Sequence, residues 1–309
     1  MRISTKSYMD LLHQSVQRAE YRLGVLTQQI ASGKRIQRPS DDPVGAGQAL
    51  RAHAALEKSL SDQSTLQHAV TLNNALDAAL GNMTSPLQTA LNAALSATQT
   101  GLGSTGLAAC ATEVRAAMEQ LVTCGNAEFN GIYLMAGTDN RQSPLATTGN
   151  PADVVTYSGN EQAMQITVSP GRVAPLTVTG QSLFNFEDTA GNRPVADVDE
   201  DVFQIMENLA QAIDAGDSDG IAAYRERLIA LQEHILQARG IVGAYGLRLE
   251  QSLTLAQDTE VQSRTVLSNV EDVDMTDAIL QSTEQKTYYQ AALAATAQIA
   301  QMPTLFDWL

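Results

Sequence analysis

The chain has 309 residues, of which 44% are apolar but only 5% aromatic, and a formal net charge of −15. Its apolar residues are mostly Ala, Leu, Val and Ile, which suit narrow helix-helix seams better than a thick interior, so a mainly helical chain of one to three domains is expected. No run of five like charges offers a sequence-independent grip on nucleic acid, and no stretch of 18 apolar residues could span a membrane as a helix.

The charge is unevenly placed: residues 1–58 carry a net +4, residues 59–196 a net −6 and residues 197–309 a net −13. The two ends can attract each other, although exposed pairs are screened and individually weak. The opening MRISTKSYMDLLHQ lacks the apolar core and small-residue cleavage site of a secretory signal, which on its own predicts a cytosolic chain.

The first element is a helix with a coiled-coil seam, because Met9, Leu12, Val16, Ala19, Leu23, Leu26 and Ile30 follow one another in alternating steps of 3 and 4. Gly33 ends it as a left-handed terminating residue, with Lys34 and Arg35 near the negative end of its dipole. Ser40 then reads as the cap of a second helix, with Asp41 and Asp42 in its first turn and Pro43 early enough to forfeit only an unpaired N–H. ASGKRIQRPSDDPVGAGQA, residues 31–49, is therefore a joint between helices. A phosphate loop needs a second glycine and a Gly-Lys-Ser/Thr ending, and position 28 is Gln while position 35 is Arg.

From Val44 to about Gln99 the pattern stays helical, with Leu76, Leu80, Met83 and Leu87 on one face and bends expected at Gly81 and Pro86. TGLGST at 100–105 is a turn. Leu107, Val114, Met118 and Leu121 mark a third helix that fades near 126–138 and should pack antiparallel to its neighbour.

Between about 139 and 200 the period changes to two. Met164, Ile166 and Val168 alternate with polar residues, Pro170-Gly171 reads as a type II turn into VAPLTVTG, and VVTY at 154–157 is a further strand. Pro175 belongs at a strand start or edge, and loops are expected at Gly149-Asn150 and Gly159-Asn160.

Helix resumes at Asp201, with Val202, Ile205, Leu209 and Ile213 as its stripe and DSDG at 217–220 as the next turn. The longest signal follows: Ile221, Tyr224, Leu228, Leu231, Ile235, Ala238, Val242, Tyr245, Leu249, Ser252 and Ala256 alternate steps of 3 and 4. Gly240, Gly243 and Gly246 within it predict close approach of another backbone. Ser268, Asp272 or Asp274 could begin the last helix, which carries Met275, Ile279, Tyr289, Leu293 and Ile299 and leads to Leu305, Phe306, Trp308 and Leu309.

Little chemistry is encoded. The four histidines have no paired spacing for zinc, Thr276 and Asp277 stand where a calcium loop needs an acid and a glycine, and no nucleophile motif is present. Cys110 and Cys124 lie roughly 21 Å apart along one helix at 1.5 Å per residue, too far to bridge within it, and read as small buried hydrophobes. No catalytic residue, cofactor or metal is expected. The terminal seam buries too little apolar surface to offset the entropy of ordering it. It needs the opposite terminus, neighbouring subunits, or both, and the ends of a free monomer are expected to be disordered.

MRIST at the start, ASGKRIQRPSDDPVGAGQAL at 31–50, NGIYLMAG at 130–137 and LSNVEDVDMTDAI with the LFDWL ending resemble the bacterial flagellin family. Pro39 and Pro43 around Ser-Asp-Asp resemble its hook-filament junction members more than its filament subunits. The resemblance implies a mainly α fold, with a long antiparallel bundle or coiled coil built from both termini (1–43 plus 268–309). It further implies a helical trunk (44–138 plus 201–267) and a small β-rich insert (139–200).

It further implies export unfolded through the flagellar type III apparatus, an export chaperone on the C-terminal region, and assembly of copies into a ring. The partners would be another hook-associated protein on the hook side and flagellin on the distal side. The assembly surfaces carried over are Met9, Leu12, Val16, Leu23, Leu26, Ile30, Gly33, Arg35, Ser40, Asp41, Asp42, Pro43, Met275, Ile279, Tyr289, Leu293, Ile299, Leu305, Phe306 and Leu309. A short flagellin or, more remotely, a cytosolic coiled-coil module stands as the alternative.

Overall fold

Helices supply most of the described chain, and hydrogen bonds at several of their ends account for where they begin and stop. The computed structural model describes residues 2–99, 103–148, 154–169, 172–188, 191–195 and 198–300, and their side chains except at 2–9, 148, 154, 168, 169, 172, 174, 299 and 300. In order they form α1 (Arg2–Ser32), α2 (Pro43–Ala97), α3 (Ser104–Gly125), β1 (Glu128–Phe129), β2 (Ile132–Tyr133), β3 (Leu145–Thr148), β4 (Val154–Tyr157), β5 (Gln165–Ser169), β6 (Arg172–Pro175), α4 (Gly180–Leu183), α5 (Val202–Ala215), α6 (Ser218–Glu271) and α7 (Met275–Ala300). Among the described residues no helix is long and apolar enough to cross a membrane. Two compact units result, a terminal unit of residues 1–61 with 257–309 and a trunk unit of residues 62–256.

The trunk unit owns the core. Leu76, Leu80, Met83 and Leu87 of α2 are fully buried, as are Val114 and Leu121 of α3 and Ile205, Leu209 and Ile213 of α5. The predicted α6 seam holds along its trunk length: Leu228, Leu231 and Val242 are fully buried, Ile221, Ile235, Ala238 and Leu249 nearly so, and Tyr224, Tyr245, Ser252 and Ala256 half-buried. Helix resumes at the expected place, and Asp201 caps α5, its Oδ1 accepting from the N–H groups of Phe203 and Gln204 at 3.0 and 2.9 Å. Burial raises its pKa despite those bonds. The following turn sits one or two residues earlier than predicted, because Gly216 adopts φ 69° as the C-cap and α6 already starts at Ser218.

Three antiparallel strand pairs form in the middle of the chain, and β3 lies against α3 and β4 against α5. β5 pairs β6 with a register shift between Thr167 and Ser169, and Pro175 lies at the end of an edge strand, where its missing N–H breaks no ladder. Pro170-Gly171 and Gly149-Asn150 lie outside the described residues. β4 pairs β3, from Leu145↔Tyr157 to Thr148↔Val154. The segment read as a fading helix instead folds back as β1–β2 around Asn130 and Gly131 at φ 52° and 79°, the left-handed pair that a tight hairpin requires. Tyr157, Phe186, Phe203 and Phe184 then stack in sequence at centroid distances of 5.7, 6.0 and 5.2 Å. Burial lifts the Tyr157 hydroxyl to about 12.

Among the described residues, Gly240, Gly243 and Gly246 of α6 do not receive a second backbone. Gly240 and Gly243 have nothing within 4 Å of a Cβ position, and at Gly246 the neighbour is a side chain, the Asn73 amide nitrogen at 2.7 Å. Asn73 is itself 3% exposed, and its Oδ1 is without a hydrogen-bond partner. Cys110 and Cys124 are free thiols on α3, the first buried and the second half-buried.

Leu80→Ala should lower trunk stability by about 2–5 kcal/mol in urea unfolding, whereas Leu247→Ala, which is 62% exposed, should change it by under about 0.5 kcal/mol in the monomer.

Candidate assembly interface

The terminal unit differs from the trunk in what it leaves uncovered. Among the described residues it buries five apolar side chains, Ala19, Ile36, Ala49, Ala52 and Ala278, while thirteen large apolar residues remain exposed, including Tyr21 at 74%, Val44 and Leu50 at 72% and Tyr288 at 66%. Helices α1 and α7 pack against each other. The α1 seam is the predicted one: Ala19 is buried and Leu12, Val16, Leu23, Leu26 and Ile30 are half-buried. The facing side of α7 is small and polar instead, with Ala278 buried and Ser282, Gln285, Tyr289, Ala292 and Thr296 half-buried at steps of 4, 3, 4, 3 and 4. Gln285 donates to the Ala19 carbonyl at 3.4 Å. A groove of about 420 Å³ lies beside the seam, lined by Tyr21, Arg22, Val25 and Leu26 of α1 and Gln281, Glu284, Gln285 and Tyr288 of α7.

The two connectors that lead into this pair are tied together. Gly33 ends α1 at φ 72°, and the chain then runs antiparallel to the α6–α7 link: Arg35 N–H donates to the Glu271 carbonyl at 2.6 Å and Val273 N–H to the Gly33 carbonyl at 3.0 Å. The Glu271 carboxylate joins both sides, accepting from Lys34 Nζ at 2.6 Å on one oxygen and meeting His53 Nε2 at 3.1 Å on the other. Arg35 adds a bond to the Val270 carbonyl at 2.8 Å and a pair with Asp42 at 3.3 Å. Burial pushes the Glu271 carboxyl up, but the bonds from Lys34 and His53 outweigh it and hold the group below its ordinary range.

The cap of α2 is Asp42 and not Ser40. Pro43 takes the first helical position, where its fixed φ is already helical, so the residue before it must cap, and Asp42 Oδ1 accepts from Gly45 N–H at 2.9 Å. That bond from Gly45 is the main cause of a lowered Asp42 pKa. Asp41 instead braces the preceding turn through the N–H groups of Gln37 and Arg38, and Ser40 is exposed. A Cβ on Gly45 would collide with Asp42 and Ile36. At the other connector, Asp274 caps α7 through Thr276 and Asp277 N–H at 2.9 and 3.2 Å.

Residues 3–140 match the bacterial flagellin N-terminal helical region and residues 230–309 match the bacterial flagellin C-terminal helical region, together more than two thirds of the chain. The chain belongs to the bacterial flagellin family. It is 24% identical over 308 residues to flagellar hook-associated protein 3 of Salmonella typhimurium, covering 94% of this chain and 95% of that protein. It is also 24% identical over 281 residues to flagellin of Bacillus subtilis, covering 89% and 88%. Its fold is shared with a flagellar hook-associated protein of Vibrio parahaemolyticus at a TM-score of 0.65 and 16% identity, over 75% of this chain and all of that one.

Within this flagellin-family frame, the structure sorts the residues carried over from sequence. Leu12, Val16, Leu23, Leu26, Ile30 and Tyr289 meet in the α1–α7 pair, whereas Met275, Ile279 and Leu293 are 43, 52 and 43% exposed and turn away from it. Leu305, Phe306 and Leu309 lie outside the described residues, as do the side chains of Met9 and Ile299. Sequence reading missed the roles of Lys34, His53 and Glu271, which are 237 and 218 residues apart in the two bonded pairs. His13 bonds locally to Gln17 and His234 to the Ser182 carbonyl, and among the described residues no three metal-ligating side chains converge.

Glu271→Gln should weaken the connector tie by about 1 kcal/mol, low for a charge-assisted bond because Lys34 and His53 are nearly half exposed. Hydrogen exchange at the Arg35 and Val273 amides reads it. A depressed carboxyl stabilises the fold above its unfolded value and loses that contribution as pH falls through the folded one, so the gap between variant and parent should close below about pH 4.5. Gly45→Ala should cost about 1–3 kcal/mol by the same measurement, because Ile36 and Asp42 must both move.

Proposed function

We propose that this chain is the structural adaptor of the bacterial flagellum that joins the hook to the flagellin filament. It does so as a ring of copies, through another hook-associated protein on the hook side and flagellin on the distal side. The observation that carries this reading is the unfinished surface of the terminal unit, where exposed large apolar residues outnumber buried ones while the trunk has a complete core of its own. A monomer seldom leaves so many large apolar residues without a partner for them.

The seam from Met9 to Ile30, the joint from Gly33 to Pro43 and the closing segment from Met275 to Leu309 are then the assembly surfaces. Leu12, Val16 and Tyr289 form the terminal pair, and Met275, Ile279 and Leu293 face neighbouring subunits. Residues 1–43 with 268–309 serve as the assembly domain, 44–138 with 201–267 as the trunk and 139–200 as the insert. Export through the type III apparatus with a chaperone on the C-terminal region suits a chain with free thiols whose ends gain stability from neighbours. Similarity to the Salmonella hook-associated protein over nearly the whole of both chains supports the junction role, and Pro39 and Pro43 around Ser40, Asp41 and Asp42 favour it over a filament subunit.

Cells lacking the chain should grow hooks without filaments and lose flagellin to the medium, as seen by electron microscopy; normal filaments would defeat the assignment. Purified chain should not polymerise into long filaments, and long polymers would favour the short-flagellin alternative. In dilute monomer the amides of residues 2–32 and 275–300 should exchange far faster than those of the trunk.

A further inference from the structure

The outward side of α6 in the trunk carries apolar residues that the described residues leave exposed. Gly240 and Gly243 have open space where a Cβ would stand. Helical spacing aligns them with Ile229, Leu236 and Leu247, which are 39, 46 and 62% exposed. The core side of the same helix, with Leu228, Leu231 and Val242, is turned well away from this stripe. The helix is thus apolar on two faces and buries one, the pattern of an element enclosed in something larger than the monomer. Glycine in an exposed helix interior weakens the helix and is retained where another backbone comes close.

Charge identifies what comes close. Between residues 234 and 247 the one Lys, Arg, Asp or Glu is Arg239, and between residues 63 and 97 of α2 it is Asp77. These two bond each other, Nε to Oδ1 at 2.9 Å and Nη2 to Oδ2 at 3.2 Å. The outward stripe of α2 over this span, Thr71, Asn74, Ala78, Asn82 and Ser85, is exposed, small and uncharged. Copies of a chain with net charge −15 repel one another over most of their surface. At mid-trunk they can meet without opposing or desolvating an unpaired charge.

We propose that the outward α6 stripe of one copy packs against the uncharged α2 stripe of a second copy. The glycines let the α2 helix sit close, and Leu236 and Leu247 bracket the glycine pair along the stripe. Because the two faces differ, the contact is heterologous and propagates around a ring. The inference rests on the ring reading and adds to the terminal surfaces a lateral one on the trunk.

The test uses chains with Cys110→Ala and Cys124→Ala, one carrying Leu236→Cys and the other Ser85→Cys, expressed together in cells lacking the parent chain. Hooks with filaments are isolated, oxidised and separated without reductant. The Leu236→Cys/Ser85→Cys heterodimer is expected as the dominant disulfide product. Filaments without that heterodimer, or with a Leu236→Cys homodimer or a disulfide-free product in its place, would overturn this contact while leaving the ring reading intact. Normal filaments in cells without any chain would sink the ring reading itself. Separately, Gly243→Leu should hold or raise the melting midpoint of the monomer yet abolish filaments; filaments that persist in that variant would also overturn the contact.

Discussion

The apolar seam along α6, from Ile221 to Ala256, is the constraint on which the rest of the trunk is built. A helix of this length is not held by propensity, and its burial against the core supplies the order. The face of α2 from Leu66 to Ala97 completes that core, and α3, α5 and the hairpins pack on it through Leu121, Phe184, Phe203 and Ile213. The same two helices also contribute to the terminal unit, where their buried apolar residues shrink to Ala49 and Ala52. One chain thus contains a unit that completes its own burial and another that does not.

That contrast explains the composition. Alanine and leucine seams need few aromatics, and the aromatic stack of Tyr157, Phe186, Phe203 and Phe184 is confined to the place where strands, loops and α5 meet at uneven distances. In the terminal unit, polar bonds do what burial does elsewhere. The backbone bridge between residues 33–35 and 271–273, with Glu271 held by Lys34 and His53, fixes the point from which α1 and α7 set out together.

Periodicity made the long helices legible, since each turn repeats the same choice of buried side; the α6 and α1 seams were read residue by residue. Local chemistry was legible where one interpretation competed with no other, as at Gly33 and Asp201, whereas Ser268, Asp272 and Asp274 stayed open as the start of the last helix. It failed where two neighbouring acids and a serine were all plausible caps, because Pro43 decides among them only through its position in the first turn. The Asn130-Gly131 hairpin was hidden by the apolar run of NGIYLMAG, which continues a helical pattern while the backbone reverses. The inner side of α7 could not be seen from apolar identity, since its contact residues are Ala278, Ser282, Gln285 and Ala292. Glu271 has no local signature, and its partners are brought to it only by folding.

Asn73 gives the trunk a property that its apolar residues cannot. Leucines and alanines along α2 and α6 are interchangeable enough that the helices could slide by a turn and still bury a similar area. The Asn73 amide sits opposite Gly246, where a Cβ would stand 2.7 Å from its nitrogen, and its unpaired oxygen is already a penalty in the aligned state. A larger residue at position 246 would drive that amide out of the seam. Gly246 therefore helps to key α2 to α6 at one height, because the close approach of the Asn73 side chain is fitted to a glycine there.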